Sequence, residues 1–482
     1  MIDPRPILFI LGLLLATLAA AMLVPAAADA MAGSTDWRAF LGAAVFTGFT
    51  GVTLALTSRS NSITLGIRQM FVLTTLSWAA IAAFGAIPLT FADLELSYTD
   101  AFFEAMSGIT TTGSTVITGL DTTPPGILLW RALLQWLGGI GIIVMAVAVL
   151  PLLQVGGMQL FRMESSETSD KAFPRTAQIA TGITIIYLAL TAVCALALRA
   201  AGMSGFDAIT HAMTTIATGG FSTHDASLGH FRSPTIHWIV VAGMLIGSLP
   251  FLLYLEAARG RARSLLHDTQ VQTFLGIVVV SVAAIALWRS LAGGIGIEQA
   301  VREAAFNVIS VITGTGYSTT DYWLWGNFAV TCLFLFMFVG GCAGSTSCGI
   351  KIFRFQVLFA AAKSQVSRIW HPHGVFVPQY NRKPLPDSVI EAVMNFLFLF
   401  SLVFVLLALS LTALGLDFVT SISSAATAIS NVGPALGDIA GPRGNFSAFP
   451  DSAKWILSLG MLLGRLELFT VLVLLWPRFW RG

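Results

Sequence analysis

Long apolar runs separated by short polar breaks dominate this chain. A helix needs about 20 mainly apolar residues to cross the hydrocarbon layer of a bilayer. Ten runs reach that length, over roughly 6–26, 38–56, 70–92, 127–150, 177–200, 235–256, 271–290, 326–350, 390–414 and 454–476. The first follows Arg5 and precedes Ala-rich sequence, as a cleaved secretory signal would. Its length is sufficient to span, and it reads as the first transmembrane helix.

Four further apolar stretches are only half that length. Each lies between two spans, too short to cross and too apolar for a simple loop, and so reads as a re-entrant segment that dips in and returns. The first runs from Asp100 through Met106 and Gly108 to Thr115. The second runs from Asp207 to Thr223. The third passes through Ile312 to Thr319, and the fourth ends in Ala428 to Pro434. Each is a short helix followed by Thr, Ser or Asn and then a glycine. A single Thr-Gly pair is ordinary turn chemistry. Four copies in equivalent positions are an internal repeat of span, half-helix, Gly turn and span.

Composition agrees with lipid as the solvent. The 482 residues are 56% hydrophobic and 10% charged, against about 25% charged in soluble domains. A net charge of +2 gives no electrostatic case for nucleic acid. Cys194, Cys332, Cys342 and Cys348 form no CxxC pair and read as small buried thiols. Lys and Arg set orientation. Arg59, Arg68, Arg162, Lys171, Arg175, the Arg259–Arg263 cluster, Lys351, Arg354, Lys363, Arg368, Arg382 and Lys383 fall on one side with both tails. Arg38, Arg131, Arg199, Arg232, Arg289, Arg302, Arg443 and Lys454 fall on the other. The richer side is cytoplasmic, so both termini are expected there, which an even number of spans permits.

The repeat suggests its own chemistry. An ion entering a membrane must exchange its water for other ligands, and rings of main-chain carbonyls can supply them. Aiming carbonyls inward takes unusual φ/ψ values that glycine adopts at low steric cost. Four segments around one axis supply four carbonyls per layer, so one chain can enclose one pore. The half-helices also turn their C-terminal ends, each about half a negative charge, toward the membrane centre, which favours a cation. Asp100 and Asp207 at two helix starts fit either an acidic vestibule or N-capping. No carboxylate ring flanks the glycines, which argues against divalent selectivity.

Two stretches are anomalous at membrane depth. Val339–Lys351 carries Gly340, Gly341, Gly344, Ser345 and Gly349 inside the eighth run, and glycine costs about 1 kcal/mol per helical position against alanine. Broken backbone at that depth is tolerated within protein or along a water-filled cavity. The stretch reads as a flexible loop under the glycine ring, with a small-residue packing face as the alternative. Arg465 lies in the last run, where a central arginine costs at least about 2.5–3.5 kcal/mol. It is expected either to place a positive charge in the pore or to form a structural ion pair. Glu467, two residues on, does not share its helix face.

These residues resemble the TrkH family of bacterial K⁺ uptake proteins, within the Trk/Ktr/HKT superfamily, over nearly the whole chain. The pieces that carry the resemblance are Asp100–Gly108, Thr110–Gly113, Leu134–Gly139, Thr218–Asp225, Gly340–Thr346 and Gly464–Glu467. The resemblance implies an all-α polytopic membrane protein with four M1–P–M2 pseudo-repeats around a central pore plus two extra N-terminal helices. The divisions would be 1–69 for those two helices and 70–160, 161–265, 266–375 and 376–482 for the repeats. Gly113, Gly220, Gly316 and Gly433 match the filter glycines. Thr111, Thr112, Thr218, Gly219, Gly314, Thr315, Asn431 and Val432, just before them, match the carbonyls that bind K⁺. Gly340–Gly349 matches the family's gating loop, and Arg465, followed by Glu467, its cavity arginine. The resemblance further implies a homodimer with one pore per subunit in the bacterial inner membrane. It also implies a TrkA-like cytosolic ring that binds nucleotide, in keeping with the absence of a GxGxxG element in this chain. The only cofactor expected is K⁺ itself. Asn431-Val432-Gly433-Pro434 departs from the other three signatures and is expected to weaken four-fold symmetry. Cys348 stands where the gating loop is expected to have glycine.

The alternative is a K⁺/H⁺ or K⁺/Na⁺ symporter using the same filter. Such proteins usually need a buried titratable group, and Glu467, Glu104 and His211 are the candidates. An enzyme is not expected, since the chain carries no HExxH or GxSxG and His371-Pro372-His373 reads as a solvated loop pair.

Overall fold

The computed structural model describes residues 3–59, 65–148, 157, 172–381 and 383–481. Arg162, Lys171 and Arg382, used above for orientation, lie outside them, as does the end of the 127–150 run. The described chain is built almost wholly from helices, with one short hairpin pairing Gln379–Tyr380 with Lys383–Pro384.

Seven described helices are long and apolar enough to span: Arg5–Ala32, Trp37–Thr57, Ile67–Phe91, Pro125–Ala148, Ala172–Ala200, Thr269–Gly293 and Asp387–Ala413. The first two form a tight hairpin. A methyl on Gly12 would sit 2.6 Å from Gly51 O, and one on Gly51 would sit 2.8 Å from Gly12 O, so only glycine permits this approach.

The other three expected spans are interrupted. Pro234–Gly247 and Phe251–Ala258 meet at 93°, and Asp451–Arg465 and Phe469–Leu475 at 109°. Pro250, without an N–H, sits at the first break. At the second, Glu467 and Leu468 both take positive φ, +62° and +51°, a conformation costly for side chains with a Cβ. The eighth run is helical only over Asn327–Phe336; Met337–Lys351 is irregular, and Ile352–Trp370 forms a separate helix. Hydropathy did not resolve these breaks, because the broken segments are as apolar as intact ones.

Four half-helices, Tyr98–Ile109, Gly205–Ile216, Ile297–Ile312 and Phe418–Ser430, lie between paired spans and are buried over their C-terminal halves, with exposed N-terminal ends. Glycines on the following span let three of them seat closely. Gly138, Gly247 and Gly464 face the carbonyls of Ile109, Ile216 and Ile429, where a methyl would lie under 3.0 Å away.

Candidate ion-conduction site

Each half-helix ends in the same way. The residue two before the signature glycine takes a left-handed conformation: Thr111 at φ +52°, Thr218 at +49°, Gly314 at +71° and Asn431 at +52°. The glycine is left-handed again, with Gly113 at +90°, Gly220 at +80°, Gly316 at +82° and Gly433 at +113°. Between them the same backbone bond recurs. Thr112 N donates to Ser107 O, Gly219 N to Thr214 O, Thr315 N to Ser310 O and Val432 N to Thr427 O, at 2.8–3.1 Å. The fourth signature, divergent in sequence, therefore keeps the backbone of the others. The expected loss of four-fold symmetry does not occur in the main chain, because asparagine tolerates left-handed φ better than most residues.

The four glycines close a ring. A methyl on any of them would lie under 3.0 Å from a carbonyl oxygen of the next segment: Gly113 against Gly219, Gly220 against Thr315, Gly316 against Val432 and Gly433 against Thr112. The order runs one, two, three, four and back to one. The hairpins converge on a shared axis, and each approach leaves no room for a Cβ.

A second layer of side chains holds the strands that leave the ring. Buried Glu104 accepts from Val116 N at 2.9 Å and from Thr115 Oγ1, and pairs with Arg131 Nε at 2.8 Å. Arg131 also donates to Ser222 O at 2.8 Å, tying the first repeat to the second. His211, at the position of Glu104 in the second repeat, contacts Ser222 Oγ at 2.9 Å. Asn307 takes the same place in the third, bonding Thr319 N and Thr319 Oγ1. In the fourth, Ser423 accepts from Leu436 N at 3.0 Å, from one position earlier on its half-helix. Gln135 donates to Gly219 O at 2.5 Å and accepts from Phe221 N at 3.0 Å. Neither Gln135 nor Arg131 was expected at the site. Their signal was a polar side chain inside an apolar run, and Arg131 had been read only as a charge that sets orientation.

Asp100 and Asp207 serve as capping partners. Ser97 and Ser204 accept from the aspartate N–H groups at 3.1 and 3.0 Å and donate to their carboxylates at 2.8 and 2.7 Å. Asp100 additionally pairs with buried Lys454.

Inward of the ring, symmetry ends. The irregular segment of the third repeat crosses beneath the glycines. Thr346 Oγ1 donates to Ile216 O and Gly247 O, at 3.0 and 2.8 Å, and Ser347 Oγ donates to Thr313 O at 2.6 Å. Gly344 and Gly349 take φ of +73° and +72°. Gly340 and Gly341 have no room for a Cβ, and Ser345 Oγ donates to Cys342 O at 2.6 Å. Arg465 reaches this segment from the fourth repeat, donating to Thr346 O at 3.1 Å and contacting Cys348 Sγ at 2.7 Å. Among the described residues, its buried Nε and Nη2 have no hydrogen-bond partner and it forms no ion pair. Glu467 pairs instead with buried Arg354. The cavity here, bounded by Asn431, Ser347, Cys348, Lys351, Arg465 and Glu467, has a volume of ≈ 30 Å³, room for a water or two.

On the half-helix N-terminal side, His224 Nδ1 lies 2.5 Å from Asp121. Burial pulls the His224 pKa down, but Asp207 and Asp121 outweigh it and hold the pKa above the ordinary histidine value. The hydrogen bond from His224 holds Asp121 below the usual carboxylate range.

Four equivalent hairpins enclosing one axis inside a bundle of apolar helices define a polytopic membrane transporter. The chain belongs to the TrkH family, described as cation transport proteins, whose profile matches residues 37–481; members of this family are transporters, not enzymes. The Trk system potassium uptake protein TrkI of Halomonas elongata is 47% identical over 478 residues, 99% of this chain and 97% of that one. TrkH of Escherichia coli is 39% identical over 483 residues, covering 99% of both. The crystal structure of the potassium transporter TrkH from Vibrio parahaemolyticus superposes with a TM-score of 0.92 at 38% identity, covering all of both chains.

Proposed function

We propose that this chain carries K⁺ across the bacterial inner membrane through the ring at Gly113, Gly220, Gly316 and Gly433. The carbonyls of Thr111, Thr112, Thr218, Gly219, Gly314, Thr315, Asn431 and Val432 replace the ion's hydration shell. The cyclic contact of each glycine with the next segment's carbonyl carries the reading, since it packs main-chain oxygens from all four repeats around one axis. The names of the relatives as potassium uptake proteins support K⁺ as the ion.

The loop from Gly340 to Gly349 is the gate. The bonds of Thr346 and Ser347 to Ile216, Gly247 and Thr313, beside a cavity of only ≈ 30 Å³, support reading this conformation as closed. Arg465 adds to the barrier: a guanidinium with no carboxylate partner among the described residues repels a cation arriving from the ring. Opening requires the loop to withdraw and to release its bonds to Gly247, Thr313 and Arg465. A cytosolic TrkA-like ring that binds nucleotide supplies that force, the chain works as a homodimer, and both termini face the cytoplasm.

Conduction is favoured over symport because the titratable candidates are engaged elsewhere. Glu104 is held by Arg131, His211 by Ser222 and Glu467 by Arg354. Reversal potentials of the purified protein in liposomes under opposed K⁺ and proton gradients test this. A potential that follows the K⁺ gradient alone is expected; one that moves with the proton gradient at fixed K⁺ establishes symport.

A further inference from the structure

The mouth above the ring carries a cluster that conduction does not use. Asp121 lies in the turn Leu120–Thr122, between the first glycine hairpin and its following span. His224 lies four residues beyond Gly220, and His230 ends the turn Ser227–His230. One ligand atom from each lies within 4.8 Å of the others. His224 Nδ1 is 2.5 Å and His230 Nδ1 3.8 Å from the same carboxylate oxygen. Each ring presents Nδ1 to Asp121; the imidazoles stack 3.6 Å apart at an interplanar angle of 3°, so binding one ion tilts them out of parallel until their lone pairs converge.

We infer that Asp121, His224 and His230 form a Zn²⁺ site that staples the outer loops of the first and second repeats. Two imidazoles and one carboxylate are a ligand set suited to zinc, with a fourth position left to water. Imidazole disfavours Mg²⁺ and Ca²⁺, which take oxygen ligands, so the site is distinct in chemistry from the carbonyl ring. Its surroundings orient the donors. Asp207 stands 3.7 Å from His224 Nε2, a nearby carboxylate that favours a cation in this cluster. Asp225 receives Leu120 N at 3.1 Å, holding the Asp121 turn against the second repeat. The Phe231 ring packs edge-on against both imidazoles, with centroids 5.3 and 5.1 Å away. Asp121 and His230 are about half exposed, so the ion can enter from water and draw them to the roughly 2.0–2.2 Å that zinc requires.

Calorimetric titration of the full-length protein, purified and freed of metal with chelator, tests the site without reference to K⁺. One equivalent of Zn²⁺ per chain is expected at neutral pH, with a rise in melting temperature, and excess Mg²⁺ does not displace it. His230→Ala removes an exposed ligand outside the core and is expected to weaken binding at least about tenfold and to abolish the rise. Asp121→Asn and His224→Ala should do the same. Absence of stoichiometric binding, equal affinity in His230→Ala, or displacement by Mg²⁺ would each overturn the assignment.

Discussion

At the glycine ring the four repeats do the same thing four times; a helical turn further in, they do four different things. In the ring every segment repeats a left-handed residue, a backbone bond and a left-handed glycine. Beneath it the first repeat contributes a helix unbroken to Ala148, the second a bend at Pro250, the third an irregular loop and the fourth Arg465. The arginines show the same contrast. Arg131 beside the ring is fully engaged with Glu104 and Ser222, whereas Arg465 has two buried nitrogens without a hydrogen-bond partner among the described residues. Coordinating a dehydrated ion needs equivalent ligands on all sides. A gate needs an element that can move on one side while the rest stays still.

The contrast predicts unequal consequences for the two arginines' surroundings. Glu104→Ala leaves Arg131 as an uncompensated buried charge and should cost about 3–5 kcal/mol, read as loss of monodisperse protein in size-exclusion chromatography. Stable, active protein would mean that the layer behind the ring is dispensable. Arg465→Ala strands no carboxylate. It should leave thermal stability close to wild type while raising K⁺ flux about tenfold, equivalent to ~1.4 kcal/mol of barrier. Unchanged flux would reduce Arg465 to a packing residue.

Within the ring, Gly113→Ser places a side chain at φ +90° against Gly219 O. At roughly 1–3 kcal/mol of strain, K⁺ over Na⁺ preference in flux assays should fall about tenfold, and retained preference would remove Gly113 from the selective layer. A subtler comparison sets Asn431→Gly against Thr111→Gly. Both relieve a left-handed non-glycine, but Asn431 donates to Thr112 Oγ1 and Met461 O, at 2.8 and 2.9 Å. Its replacement should lower stability by about 1 kcal/mol, while the threonine change stays near neutral by thermal melting.

The smallest effect concerns pH at the mouth. A raised His224 pKa means that its stabilisation is fully present below the unfolded value, about 6.5, and is lost as pH rises through the elevated folded value. With chelator present, the melting temperature should fall slightly from about pH 6 to about pH 8. His224→Ala should flatten that slope; an unchanged slope would place the titrating group elsewhere.

The sequence by itself determined the membrane class, the four half-helices, the glycine positions and the suspicion attached to Arg465. These follow from run length, repetition and the rarity of charge or dense glycine in apolar sequence, all local properties. The glycine-dense break in the eighth run was also legible, whereas only the tertiary structure decided where the sixth and tenth runs bend, since a bent helix is as apolar as a straight one. It also decided partnership: Glu467 belongs to Arg354, 113 residues away, not to Arg465 beside it. The divergent fourth hairpin makes the same point, because its asparagine takes the same left-handed backbone as Thr111, Thr218 and Gly314. Which carbonyl meets which glycine, and which charge meets which, depends on closing a ring from segments about a hundred residues apart. Local physical chemistry names the parts, while long-range packing assigns their neighbours.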